Sequence, residues 1–291
     1  FREDLSITRW TQALGTSRPV GLRHGLGHDC AVLASPSKQL DLVLKTDAVV
    51  EGVHFLPSTP APLVGRKAMA RALSDLAAAG ATPRAALVTV GCPNKKTATR
   101  LLAMYRGMAR IARQAKVSVV GGETVRTRQL FLSVSLLGTV PRGTSPHRGG
   151  ARPGHRLFVT GTLGGSWPRR HLTFTPRLRE GQWLARKKIP SAMMDLSDGL
   201  GADLPRLARM SRVGIRLSSK KLPLATGATI RQAMTWGEDY ELLFAVPPSK
   251  AARLLKTWPF PTRLTEIGIC LPPRSGFQTG GFALQGYDHL R

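Results

Sequence analysis

The chain has 291 residues and carries 43 Lys and Arg against 17 Asp and Glu, a formal net charge of +26 at pH 7. Its 42% hydrophobic and 21% charged residues are typical of a soluble globular protein, and the length suffices for one large or two medium domains.

Several features bear on the compartment. No apolar run approaches the roughly 18 residues of a membrane span, and the first residues lack the basic and apolar regions of a signal peptide. Cys30, Cys92 and Cys270 are widely spaced, without metal-ligand spacing. We therefore expect free thiols in a cytoplasmic protein.

The positive charge has two interpretations. It raises encounter rates with polyanions and promotes weak nucleic-acid binding at low salt. However, the basic residues are spread along the whole chain and form no tail, zinc-finger spacing or aromatic-rich RNA-binding signature. A solvated basic surface, with non-specific nucleic-acid binding at most, is the favoured interpretation.

Strand and helix patterns alternate in the first half of the chain. Residues 40–44 predict a strand that delivers Thr46 and Asp47 at its end. The Ala- and Leu-rich residues 66–79 predict a helix stopped by Gly80, and residues 97–115 predict an amphipathic helix. Further strands are expected at residues 87–90, 117–120 and 130–140.

A Pro-, Gly- and Arg-rich stretch over residues 141–154 predicts a boundary between an N-terminal domain, 1–145, and a C-terminal domain, 146–291. In the second half, residues 193–195 should end a strand just before a helix over 200–210. Further strands are expected at residues 157–160, 241–246 and 264–269. Both halves therefore mix strands and helices and place acids at strand ends.

The scarce acids are concentrated, since nine of the 17 lie in six short patches flanked by Gly, Ser or Thr. The patches are Gly27-His28-Asp29, Lys45-Thr46-Asp47, Leu73-Ser74-Asp75, Gly121-Gly122-Glu123, Asp195-Leu196-Ser197-Asp198-Gly199 and Gly237-Glu238-Asp239-Tyr240-Glu241. Mg²⁺ is usually held by a few carboxylates together with nucleotide phosphates. The patches therefore indicate a metal and phosphate site.

Each acid also has a local alternative. Ser197 and Asp198 precede a predicted helix, where N-caps are routine, and Asp29 and Asp47 are both suited to turns. Asp75 lies inside a predicted helix, so capping cannot explain it and a solvated helix face is its alternative. Only the collection of acids is specific for a metal site.

Other features favour ordinary structural roles. The Gly-rich residues 161–165 follow a strand and would bring backbone N–H groups close to a phosphate, but they match neither a P-loop nor the dinucleotide fingerprint. A plain turn is favoured there. A lone histidine such as His54 is more often packed or exposed than catalytic, and Arg148 would by default be an exposed charge.

Taken in order, the patches and their neighbours resemble the thiamine-monophosphate kinase family from about residue 3 to the C-terminus. The resemblance is carried by GLGHDCAVL (25–33), TD with VEGVHF (46–55), KA with LSDLAAAGA (67–81), GGET (121–124), DLSDGL (195–200), GEDYEL (237–242) and the ending Gly286-Tyr287-Asp288-His289. Each motif alone is weak, whereas the set is highly specific.

The resemblance implies ATP-dependent phosphorylation of thiamine monophosphate to thiamine diphosphate by direct in-line transfer, with Mg²⁺ as cofactor and ATP as co-substrate. It also implies the aminoimidazole-ribonucleotide-synthetase-like fold, a two-domain α/β and α+β architecture. In that fold, mixed α/β N-terminal halves of two subunits form a shared β-barrel, so a homodimer is expected. The C-terminal half would be a layered α/β domain.

The resemblance also implies three sets of site residues. The Mg²⁺ ligands would be Asp29, Thr46, Asp47, Asp75, Glu123, Asp195 and Asp198, of which Asp47, Asp75 and Asp198 would act in catalysis. ATP would contact Gly122, Glu123, Arg148 and Ser197. Thiamine monophosphate would contact His54, Glu238 and Tyr287, with Tyr287 packing on a heterocycle and Glu238 recognising amino or cationic groups.

The chain departs from the family pattern at four places. His28 replaces the first Asp of an Asp-Asp pair, and Glu123 replaces an Asp with a longer side chain. Lys45 stands where a small residue is usual, and its charge would compete with Mg²⁺ unless the side chain turns away. After Gly165 the chain lacks a helix-length stretch, so a shortened C-terminal lid is expected.

Two other functions remain open. Another enzyme of the same superfamily would process carbamoyl groups or selenide through a reactive cysteine near a terminus, and no cysteine here is so placed. A non-catalytic descendant would bind nucleic acid through its basic surface. The net charge and Lys45 favour that alternative, whereas the intact Asp-Leu-Ser-Asp-Gly segment opposes it.

Overall fold

A computed structural model describes residues 2–13, 19–282 and 284–287 of the chain. Two six-stranded sheets account for most of the fold, one from each half of the chain. Asp288 and His289, which contribute to the resemblance, lie outside the described residues. None of the helices in the described part has the length and apolar composition needed to cross a membrane.

The N-terminal sheet has the strand order β1-β2-β3-β6-β4-β5, and only its β4–β5 pair is parallel. Its strands are β1 (Leu22–His24), β2 (Ala31–Ala34), β3 (Leu40–Val50), β4 (Thr82–Cys92), β5 (Ser118–Arg126) and β6 (Phe131–Pro141). The helices of this half are α1 (Arg2–Ala13), α2 (Ala61–Ala78) and α3 (Lys95–Gln114). Helices α2 and α3 pack on the sheet.

The C-terminal sheet has the order β12-β9-β11-β7-β10-β8, and only its β12–β9 pair is parallel. Its strands are β7 (Arg156–Thr160), β8 (Ala192–Asp195), β9 (Gly214–Leu217), β10 (Leu242–Val246), β11 (Leu264–Leu271) and β12 (Phe277–Gln278). The helices are α4 (His171–Thr173), α5 (Leu178–Arg186), α6 (Leu200–Ser211), α7 (Ile230–Thr235) and α8 (Pro248–Thr257), with single turns at Ser166–Arg170, Ser219–Lys221 and Pro273–Ser275.

The strands predicted at residues 40–44, 87–90 and 117–120 are shorter than the observed β3, β4 and β5, while the predicted helices lie within a few residues of their observed bounds. Strand β3 continues through Thr46 and Asp47 because all eleven of its residues pair with β6. Strand β5 likewise contains Gly122 and Glu123, which pair with Val88 and Thr89 of β4. Backbone pairing, which does not depend on side-chain polarity, therefore places these polar residues inside strands.

Helix α2 joins the two halves. It contacts β3, β6 and α3 of the N-terminal half of the chain, and β8, α4 and α5 of the C-terminal half. The helices α2 and α3 cross closely, since a Cβ atom on Gly65 would lie 1.8 Å from the carbonyl oxygen of Met104. Tight packing on both sides fixes the side chains that α2 carries.

Candidate functional site

Three carboxylates from distant parts of the chain converge in the described residues. Asp29 lies in the bend before β2, Asp75 lies on α2 and Asp195 ends β8. Each offers an oxygen, and these oxygens lie within 4.8 Å of one another. Within residues 2–13, 19–282 and 284–287, no other group of three acids, histidines or cysteines meets that distance.

The carboxylate group is tied to both halves of the chain. The Ser74 hydroxyl donates to Asp195 at 2.6 Å, and Arg148 forms an ion pair of 2.5 Å with Asp29. Arg148 is therefore not the exposed charge that a linker residue would be. Burial and the nearby charge of Asp29 raise the pKa of Asp195 to about 7.

Lys45 turns toward this group. Side chains alternate along β3, so Lys45 and Asp47 face α2 while Thr46 faces the opposite side of the sheet. The Lys45 ammonium lies 2.9 Å from Oδ1 of Asp75. The Lys45 side chain is therefore not turned away from the acids, and its charge would compete with Mg²⁺.

Asp47 lies on the same side of β3 as α2, whereas two other predicted metal ligands, Thr46 and Glu123, lie apart from the three carboxylates. Asp47 is bound to Arg71 at 3.2 Å, also on the α2 side of β3. The Thr46 hydroxyl accepts a hydrogen bond from Ser135 on the open side. Glu123 is exposed on the edge strand β5, which β6 and β4 separate from β3. The described chain therefore does not bring Thr46 or Glu123 to the other acids.

The structure contradicts three of the local alternatives for the acids. Asp75 is only 7% exposed, so it does not lie on a solvated helix face. Asp47 lies within a strand and not in a turn. Gly199 is the N-cap of α6 and the helix has no side-chain cap, while the Asp198 carboxylate is paired with Arg206.

The segments around Ser197 and Glu238 form a pair of loops. Backbone hydrogen bonds join Glu238 N to Ser197 O at 2.7 Å and Tyr240 N to Leu196 O at 2.8 Å. A Cβ atom on Gly237 would lie 2.4 Å from Ser197 O, so only glycine permits this approach. Two motifs distant in sequence thus become one structural unit.

His28 belongs to a group of three imidazoles with His24 and His147. The ring centroids lie 4.2 to 5.1 Å apart. Burial and the neighbouring imidazole His147 lower the pKa of His28 to about 4, so its ring is neutral at pH 7. The replacement of an Asp by His28 therefore removes a negative charge without adding a positive one.

Two cavities meet beside the carboxylates. A cleft of about 660 Å³ is lined by Asp29, Asp75, Asp195 and Arg148, among others. A recess of about 70 Å³ is lined by His54, Arg71, Trp167, Glu238, Tyr240 and Tyr287. Ser197 and Asp198 line both cavities, so this segment is their common wall.

Glu238 is engaged by protein groups on both carboxylate oxygens. Oε1 lies 2.6 Å from the ammonium of Lys67, and Oε2 lies 3.1 Å from Nδ1 of His171. Burial alone would raise the pKa of Glu238, but these two partners outweigh it and lower the pKa to about 2. The side chain of Lys67 is fully buried, and burial lowers its pKa to about 8.

The short segment after Gly165 forms part of the recess. Trp167 lies in its wall and stacks on His171 with 4.0 Å between ring centroids. Trp167 is 42% exposed and Tyr287 is 46% exposed, so two aromatic rings are open to a ligand. The direct connection that suggested a shortened lid thus supplies an aromatic surface.

The glycines of the two Gly-rich segments have structural roles. A Cβ atom on Gly122 would lie 1.9 Å from Val88 O, across the β4–β5 pair. The Gly164 N–H donates to the carboxylate of Asp239 at 2.9 and 3.1 Å. Residues 161–165 therefore bind an acid of the chain itself, which supports the plain turn.

Four residues in or beside these cavities were not predicted from the sequence. Arg71, Trp167 and Arg206 line the cavities, and His171 contacts Trp167 and Glu238. One signal was available. Lys67, Arg71 and Asp75 are spaced by four residues, which places them on one face of a helix. Trp167 and His171 gave no comparable signal because their contacts depend on how an irregular segment folds back.

The buried Asp239 provides a pH-dependent prediction. Burial raises the pKa of Asp239 to about 7, against about 3.9 in an unfolded chain. The folded state therefore binds more protons in that range, and the contribution of Asp239 to stability falls as pH rises from about 4 to about 7. We expect the unfolding free energy of Asp239→Asn to rise relative to that of the unmodified chain over that range, by on the order of 1 kcal/mol for each unit of pH.

Urea unfolding at a series of pH values measures this difference. Glu266→Gln removes a partly exposed carboxylate of β11 that is paired with Arg156 of β7, and is the matched control. Its unfolding free energy should follow the unmodified chain at each pH. A constant difference between Asp239→Asn and the unmodified chain would contradict the prediction.

Residues 27–140 match the family described as AIR synthase related protein, N-terminal domain. The thiamine-monophosphate kinase of Rhodopirellula baltica is 35% identical over 263 residues, covering 84% of this chain and 82% of that protein. The Salmonella typhimurium thiamine-monophosphate kinase is 34% identical over 270 residues, covering 83% and 81%.

Solved structures agree with these relatives. AaThiL complexed with AMPPCP and TMP is 31% identical and superposes with a TM-score of 0.84, covering 98% of this chain and 96% of that one. The thiamine-monophosphate kinase structure from Stenotrophomonas maltophilia has a TM-score of 0.77 at 29% identity, covering 97% of each chain. The aminoimidazole-ribonucleotide-synthetase-like α/β fold expected from the resemblance is thereby confirmed.

Proposed function

Because this chain belongs to the thiamine-monophosphate kinase family, we propose that it transfers the γ-phosphoryl group of ATP directly to thiamine monophosphate. The observation that carries the proposal is the wall shared by two cavities. Ser197 and Asp198 line both the large cleft and the small recess, and the three carboxylates line the cleft. Two anions bound in these adjoining cavities would meet beside Ser197 and Asp198, as in-line transfer requires.

The donor set fits Mg²⁺. Asp29, Asp75 and Asp195 offer only oxygen ligands, which suit a hard cation better than a softer transition metal. These three residues would hold the metal, with Asp47 and Asp198 beside them and Thr46 and Glu123 as further ligands implied by the resemblance. When bound, Mg²⁺ neutralises the negative charge that the phosphates carry into a loose transition state.

The cleft would bind ATP. Its volume of about 660 Å³ lies within the usual range for ligand sites. Arg148, Arg206 and Ser197 line it and would donate to phosphate oxygens. Gly122 and Glu123 remain ATP contacts by resemblance alone, since both lie on the edge strand β5.

The recess would hold the phosphate end of thiamine monophosphate. Arg71 and His54 line it and are suited to a phosphate, while the exposed rings of Trp167 and Tyr287 would cover the heterocycles outside it. Both oxygens of Glu238 already have partners, so we propose that Glu238 shapes this recess through Lys67 and His171.

The transfer needs no general base. The acceptor is a phosphate monoester, whose second pKa of about 6 leaves its attacking oxygen unprotonated at neutral pH. That oxygen forms a new bond to the γ-phosphorus as the bond to the bridging oxygen of ADP breaks. The residues here need only align two repelling anions and exclude water, which agrees with a site rich in acids and poor in catalytic histidines.

The direct test is incubation of the chain with ATP, Mg²⁺ and thiamine monophosphate, with thiamine diphosphate and ADP measured by chromatography. We expect equal amounts of both products and none after chelation of Mg²⁺. Absence of thiamine diphosphate, together with salt-sensitive binding of nucleic acid, would instead favour a non-catalytic protein.

We also propose that a second copy covers the open face of the N-terminal sheet. On the side opposite α2 and α3, Leu44, Leu87 and Val120 are 44%, 50% and 65% exposed and line a shallow cavity of about 490 Å³. All nine residues of the edge strand β5 are exposed. An apolar sheet face with an open edge is suited to a shared barrel, since closure removes the edge.

Leu87→Glu should therefore convert a homodimer into monomers, because the charge would be buried on the covered face. Light scattering coupled to size-exclusion chromatography measures the mass. Leu102→Glu is the matched control, since Leu102 is 59% exposed on α3 and away from that face. A Leu87→Glu protein with unchanged dimer mass would disprove this arrangement.

A further inference from the structure

The ammonium of Lys45 lies inside the carboxylate group. Lys45 is on β3, and the alternation of side chains directs it toward α2 and not to the open face of the sheet. Its Nζ atom lies 2.9 Å from Oδ1 of Asp75, and its side chain is 22% exposed. The cation thus contacts one of the three acids proposed to hold Mg²⁺.

The charges in this group are only partly balanced. Asp75 is paired with Lys45 and Asp29 with Arg148, at 2.9 and 2.5 Å. Asp195 accepts a hydrogen bond from the neutral Ser74 hydroxyl. The three carboxylates are therefore accompanied by two cationic side chains. The remaining negative charge can attract a bound cation, but less strongly than three unpaired carboxylates would.

The Lys45 side chain ends in an ammonium group that forms an ion pair with the Asp75 carboxylate. An ammonium is a compact charge with three hydrogen-bond donors. It therefore resembles a small metal ion in charge sign and in its contacts with carboxylate oxygens.

From these contacts we infer that the Lys45 ammonium replaces one divalent cation of the carboxylate group, so the site holds fewer metal ions than its acids could bind. The inference rests on the proposed kinase site. A metal ion on Oδ1 of Asp75 would have to displace Lys45 and would meet its positive charge at close range. Asp29 and Asp195 do not contact Lys45 and would keep the remaining ions.

Replacement of Lys45 by a small neutral residue should restore the missing position. We expect Lys45→Ser and Lys45→Ala to bind about one additional Mn²⁺ per chain in the presence of the non-hydrolysable ATP analogue AMPPCP, because the freed carboxylate suits a hard cation. Lys45→Arg keeps the charge and should keep the original count. Lys38→Ser removes a lysine from the exposed loop before β3 and is the matched control.

Equilibrium dialysis, with free Mn²⁺ measured by electron paramagnetic resonance, gives the count. Thermal unfolding with and without Mn²⁺ gives a second measurement, in which the two neutral variants should gain more from the metal than the unmodified chain does. Equal counts and equal thermal gains in Lys45→Ser, Lys45→Ala and the unmodified chain would overturn the inference. Failure to form thiamine diphosphate would disprove the kinase proposal, whereas the inference about Lys45 depends only on the Mn²⁺ counts and the thermal gains.

Discussion

Asp75→Asn is expected to lower the rate of thiamine diphosphate formation by more than about 100-fold, the upper end of what loss of an outer-shell partner costs at metal sites. The amide keeps the shape of the side chain but removes the charge that meets Lys45 and the other two acids. Lys45 would then repel a metal ion without a paired carboxylate. Steady-state rates at saturating ATP measure the loss.

Asp41→Asn is the control for Asp75→Asn. Asp41 is a buried carboxylate of β3 that pairs with Arg23 and Arg142, outside the two cavities. Its replacement should lower stability while the rate stays close to that of the unmodified chain. If Asp75→Asn retained a rate within about threefold of the unmodified chain, Asp75 would have no role in the transfer.

Glu238→Gln is expected to destabilise the fold by about 3 kcal/mol, because Lys67 would lose the counter-ion of a fully buried ammonium. Urea unfolding measures this loss. Lys67→Met removes the buried charge, and the double variant should be less destabilised than the sum of the single changes. A coupling of about 1–3 kcal/mol is typical of such contacts.

The same variant also tests the role of Glu238 in binding thiamine monophosphate. Since Lys67 and His171 hold both its oxygens, we expect the KM for thiamine monophosphate to rise similarly in Glu238→Gln and Lys67→Met. Glu180→Gln, a buried carboxylate that accepts from Thr262, is the control and should leave KM unchanged. A rise in Glu238→Gln alone would instead indicate direct recognition of the substrate, and an unchanged KM would exclude a role of Glu238 in binding thiamine monophosphate.

Much of the site was predictable because family motifs specify residue types in a fixed order. The order of the acids identified the family, and Asp29, Asp75 and Asp195 do meet. Their proximity could not be derived from spacing, since 120 positions separate Asp75 from Asp195 in sequence. It results from the packing of α2 against β8.

Side-chain direction was the main feature that the sequence left open. Whether Lys45 turned toward the acids or away depended on the register of β3, and the predicted strand stopped before it. Once β3 continues through Asp47, the two-residue period of a strand places Lys45 and Asp47 on one face and Thr46 on the other. The contacts of Trp167 and His171 likewise depend on an irregular segment with no sequence period.

Helix α2 sets the distance between side chains at the recess and a side chain at the cleft. Lys67 and Arg71 point to the recess and Asp75 to the cleft, and eight residues of helix span about 12 Å. Because each residue turns the helix by about 100°, inserting a single residue between Arg71 and Asp75 would rotate one set away from its cavity. The helix therefore fixes both the distance and the relative direction of these side chains, and the segment between Lys67 and Asp75 tolerates no insertion or deletion.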